Sequence, residues 1–144
     1  MISFMPKYVQ WDFVESAKVH LCSKPQERVK YDKIVVYFSE PSADAPNKAR
    51  DMIAEFFRQA LGEEELVDEF APFYEVIGKG IAWGEERADK GSFSEARIRC
   101  IAEVVHENQC FNGFDEFIAA VKKKFSRSGI NPNQPHLYLA DSTS

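Results

Sequence analysis

From Gly78 to Val105 the chain reads GKGIAWGEERADKGSFSEARIRCIAEVV, a charged loop broken by glycines that runs directly into a helix. The four residues from Ser92 to Glu95 (SFSE) predict a capping box, in which a serine hydroxyl and a glutamate satisfy the first free amides of the helix. Behind it Phe93, Ala96, Cys100, Ile101 and Val104 recur at helical spacing, which no strand can present to one side. Arg97 and Arg99 fall in the first turns. A loop that delivers arginines to a helix start is a common way to build an anion site. The two arginines are about 200° apart around the helix, so only one of them can face a given ligand.

The rest of the chain supplies the elements this helix must pack with. Residues 17–22 alternate, with Lys18 and His20 on one side and Val19 and Leu21 on the other, the period of a strand with one buried face. Ile34 to Phe38 (IVVYF) is a continuous β-branched and aromatic run and predicts a central strand covered on both faces. A helix opens near Asp44 to Pro46 and carries Ala49, Met52, Ile53, Phe56, Phe57, Ala60 and Leu61 on one stripe. Phe70 to Ile77, interrupted by Pro72, predicts an edge strand. That order is the order of a right-handed βαβ crossover. A third helix runs from about Phe114 to Ser126 with a lysine-rich end (Lys122, Lys123, Lys124), and Gly129 closes it. The expected fold is α+β: a small mixed sheet with a βαβ-type crossover and about three amphipathic helices. Residues 1–16 form an N-terminal segment, 17–138 a single domain and 139–144 a flexible tail.

At 144 residues and 44% hydrophobic content, with twelve phenylalanines, the chain can bury a core without staples. No apolar run approaches the roughly 20 residues needed to span a bilayer, and the first residues lack a Sec-type signal pattern. A net charge of −5 argues against a general nucleic-acid binder. Cys22, Cys100 and Cys110 show no metal-ligand spacing, so neither a metal nor any other cofactor is expected. Cys100 lies on the apolar stripe and reads as a small buried hydrophobe. Folding in a cytosol is the expected setting.

The order GxGIAxGEE, SFxxxR, IAEVV, then a phenylalanine-rich helix and a GINPNQPHLY ending, resembles the C-terminal half of the Hop A family of bacterial type III effectors. Upstream, Lys18, Pro25, Asp32 and the IVVYF run match in order, so the likeness covers roughly residues 17–138. Ser94 stands where many relatives have glycine, and the substantial N-terminal half usual in the family has no counterpart here. A site built across both halves would then be incomplete here or supplied by a partner chain. The resemblance implies action inside a host cell. Through relatives that serve as lyases in ribosomal-peptide maturation, it also implies elimination of phosphate from phosphoserine or phosphothreonine.

Such chemistry needs a base for the Cα proton, an acid at the leaving group and fixed positive charge around the phosphate. Lys18 is the candidate base, at the family's lysine position, and His20 the candidate acid. Arg97 matches the family arginine and is the candidate phosphate ligand; a competing structural role is an ion pair with Glu85 or Glu86 that pins the loop. Lys79, Glu85 and Arg87 complete the candidate binding set. Ser92 reads as a cap, and His106 and His136 as isolated. Three functions stay open: a phosphopeptide lyase-like domain, a binder of a phosphorylated peptide or other anionic ligand, and a docking module for a host or biosynthetic partner protein.

Overall fold

A computed structural model describes residues 11–19, 34–40, 44–45, 47–62, 64, 66–108 and 110–140. In chain order the described residues hold β1 (Val14–Val19), β2 (Ile34–Phe38), α1 (Lys48–Ala60), β3 (Glu75–Gly78), β4 (Ile81–Trp83), a 3-10 turn (Ala88–Lys90), α2 (Phe93–Glu107) and α3 (Phe114–Arg127). Among the described residues the class is α+β with three helices, as the sequence predicts. The strand–helix–strand order β2–α1–β3 is present, but β2 pairs with β1 and β3 with β4. Two antiparallel pairs thus replace the expected mixed sheet with a crossover. By its contacts the chain divides into two compact units, residues 1–71 with 76–81, and residues 72–75 with 82–144.

In the first unit β1 and β2 run antiparallel, with Ala17 opposite Val36 and Lys18 opposite Val35. Alternation sends Ala17, Ile34, Val36 and Phe38 inward, where they pack on Ile53 and Phe57 of α1 together with Trp11 and Phe13. Two strands alone are marginal in water, and the apolar face of α1 supplies the surface they lack. All five residues of β2 are half-buried, short of the full cover expected of a central strand. Helix α1 starts at Lys48, after Asn47 in a left-handed conformation, and the Glu40 carboxylate accepts from the Ala49 amide at 3.2 Å.

In the second unit α2 and α3 enclose Cys100, Val104, Val121, Phe125, Ile130 and Tyr138. The Cys100 thiol is buried and 3.3 Å from the Ser128 hydroxyl, as its place on the stripe predicts, and Cys110 is exposed. Helix α3 ends in a Schellman motif. Gly129 takes φ +78°, the Ile130 amide donates to Phe125 O (2.9 Å) and the Gly129 amide to Ser126 O (3.1 Å). Ile130 and Phe125 then meet in the core, the apolar contact that goes with this motif.

The segment after Gly129 folds back on itself. Asn131 Oδ1 accepts from the amides of Asn133 and Gln134, and Ile130 bridges Tyr138 antiparallel. Leu139 N donates to Gly129 O at 2.7 Å. These bonds close residues 129–139 into a strap.

Candidate functional site

Arg97 lies on α2 with no exposed surface at all. It sits one helical turn beyond Phe93, so its guanidinium folds back over that ring, with Cζ 3.6 Å from the centroid. Nη1 donates to Phe93 O at 3.0 Å, Nε to Pro135 O at 2.7 Å and Nη2 to Glu85 O at 3.4 Å. The Tyr138 hydroxyl lies 3.5 Å from Nη1. One planar cation thereby ties the start of α2, the loop and the strap. Burial pushes its pKa down from the ordinary value, partly opposed by Tyr138, Tyr74 and Glu85, but a guanidinium remains charged throughout the working range. Hydrogen bonds to a buried charge and a desolvated cation–π contact are each worth about 2 kcal/mol.

The acidic pair of the loop is used separately. Glu85 Oε2 accepts from the Tyr138 amide at 2.7 Å, while the Glu85 amide donates to His136 O at 2.7 Å. The pinning role expected of Arg97 therefore runs through the Glu85 backbone carbonyl, and the carboxylate is spent on the strap. Glu86 accepts from the Phe93 amide at 3.1 Å. Ser92 makes no side-chain cap, and Glu95 pairs instead with Arg99 at 2.7 Å. The loop thus serves the helix terminus through the Glu86 carboxylate on the Phe93 amide, where the dipole favours negative charge, and the predicted capping box does not form.

Arg87 lies beside Glu85 at 4.0 Å with its guanidinium 5.2 Å from the Tyr138 ring centroid. Arg97, Glu85 and Arg87 are thus gathered around Tyr138. His136, read from sequence as isolated, is buried, with Nε2 3.3 Å from Glu75 Oε2; that same oxygen accepts from Trp83 Nε1 at 2.6 Å. Tyr138, Glu75 and Trp83 were not foreseen as members of this network. The signal for Tyr138 was the GINPNQPHLY ending itself.

Lys18 and Lys79 belong to the first unit. Lys79 is exposed in the turn between β3 and β4. Lys18 is exposed on the outer face of β1, and its ammonium donates to the Tyr37 hydroxyl at 3.2 Å and lies 4.7 Å from the centroid of that ring. Tyr37 shares this face because it stands opposite Ser16, two residues before Lys18. Among the described residues Lys18 forms no ion pair with a carboxylate. His20, Cys22, Pro25 and Asp32 lie outside the described residues. Among those that are described, no group of histidine, cysteine, aspartate and glutamate is placed to hold a metal, and no helix is long and apolar enough to cross a membrane.

A loop, a helix start and a strap locked together by one buried arginine define an α+β protein whose most motif-like residues build its frame. The chain belongs to the HopA1 effector protein family, which matches residues 3–137 and so covers the loop, the helix start and the strap as far as Leu137. It is an effector-type protein. No curated protein and no solved structure matches it.

Proposed function

We propose that this effector-family protein is delivered into a host cell and there engages a phosphorylated peptide through Lys18, with elimination of the phosphate as its reaction. One observation carries the reading: Lys18 presents an exposed ammonium, steadied by Tyr37, that is not neutralised by a carboxylate among the described residues. A lysine so placed attracts a dianionic phosphate, and in its free-amine form accepts a proton. In the proposed step Lys18, having first released a proton to solvent, takes the Cα proton of phosphothreonine as a free amine, the Cα–Cβ double bond forms, and the Cβ–O bond breaks as phosphate leaves with the electron pair. His20, two residues along, is the proposed acid. Arg97 serves as an anchor in this reading, since its donors already go to protein oxygens.

A docking role has its own support. Ile98 and Val105 lie seven residues apart on α2 and are more than half exposed, and Phe114 at the start of α3 is 74% exposed. Apolar side chains in such positions suit a protein partner. Mass spectrometry of a phosphothreonine peptide incubated with the protein separates the two. The lyase reading expects loss of phosphoric acid to leave a dehydroamino acid, abolished in Lys18→Ala. A peptide recovered unchanged, or hydrolysed to threonine, rules that reading out, and the unchanged peptide leaves docking.

A further inference from the structure

We infer that Tyr37 is the positioning residue of the Lys18 site, holding the ammonium in one place on the outer face of the β1–β2 pair so that it meets a phosphate without first being ordered. The inference rests on the reading of Lys18 given above. Lysine is a flexible chain ending in a point charge, and a ligand that must immobilise it gives up affinity in doing so. Here the ordering is already done by the protein. The hydroxyl of Tyr37 accepts from Nζ at 3.2 Å, and the ring centroid is 4.7 Å from the same ammonium. Two different attractions, a hydrogen bond and a cation–π contact, act on one atom.

The backbone explains why this pair forms. Between Val14 and Ser16 the register slips, so that Ser16 faces Tyr37 while Ala17, Lys18 and Val19 face Val36, Val35 and Ile34. Lys18 and Tyr37 are therefore diagonal neighbours on the outward face, a spacing that long and aromatic side chains bridge. On the inward face Ala17 and Val36 belong to the core with Ile53 and Phe57, which fixes the register and with it the diagonal. The phenol adds no charge, so the site keeps its attraction for an anion.

The inference is tested with Tyr37→Phe, which keeps the ring and removes the hydroxyl, and Tyr37→Leu, which removes both. Two measurements are made on the full chain: nitrogen–proton NMR of the Lys18 side-chain ammonium, and titration with the same phosphothreonine peptide. A slowly exchanging Lys18 ammonium signal is expected in the wild type, broadened in Tyr37→Phe and lost in Tyr37→Leu. Affinity should fall roughly three- to tenfold across the two variants, the cost of ordering one long side chain. An ammonium signal indifferent to both substitutions overturns the inference, as does unchanged affinity. If the wild type binds no phosphopeptide, the Lys18 reading falls, while the ammonium signal still decides whether Tyr37 holds it.

Discussion

At Gly84 the absent side chain lets the loop lie against Phe93, for a Cβ there would run into the ring. Phe93 cannot yield easily, being 3% exposed, stacked on Tyr74 at 4.0 Å between centroids and covered by the Arg97 guanidinium. Gly84→Ala should therefore cost about 1–3 kcal/mol, an overpacking penalty read from the denaturant midpoint. Single residues also show where sequence reasoning reached. That Arg97 and the GEE loop belong together was legible in their motif order. That the partners would be carbonyls of Glu85, Phe93 and Pro135 was not, because helical spacing assigns a residue to a face but says nothing of the distant oxygens brought to it. Tyr37 was read only as part of an apolar run; its link to Lys18 depends on a strand register that no local pattern encodes.

Among the elements, the α2–α3 pair is held by more than its core. Lys124 reaches Glu103 at 2.7 Å and Glu107 at 2.8 Å, joining the last turn of α3 to α2. From sequence it was one of three solvating lysines; the structure makes it half-buried and singles it out. The hydrogen bond from Lys124 holds the Glu107 carboxyl below its ordinary value, and the bonds to Glu103 and Glu107 raise the Lys124 ammonium above its own. The carboxylate contribution is present above the ordinary carboxylate range and disappears as pH falls through the lowered value. The lysine contribution is complete below the ordinary lysine range and lost as pH rises through the raised one. Lys124→Gln should flatten both limbs of a plot of denaturant midpoint against pH; limbs identical to the wild type would remove Lys124 from the account. All three helices were legible because their stripes repeat every three to four residues over several turns. The pairing of four short strands was not, since a five-residue run specifies strand character but not its neighbour.

At the scale of the molecule, the family signature includes residues that build the frame and an exposed lysine that lies outside it. Arg97, Glu85, Glu86, Phe93 and Tyr138 form the frame of the second unit, and Lys18 stands exposed in the first. The anion-site reading of the loop and helix start was chemically sound, but a guanidinium with no exposed surface already has its acceptors. The most direct test of this division is the stability to denaturant of Arg97→Ala measured beside Lys18→Ala. Removing Arg97 should cost about 3–5 kcal/mol, because a buried charge network is broken and its carbonyls lose their donors. Removing Lys18 should stay within about 0.5 kcal/mol of the wild type. An Arg97→Ala protein as stable as the wild type would contradict the account and return that arginine to the ligand.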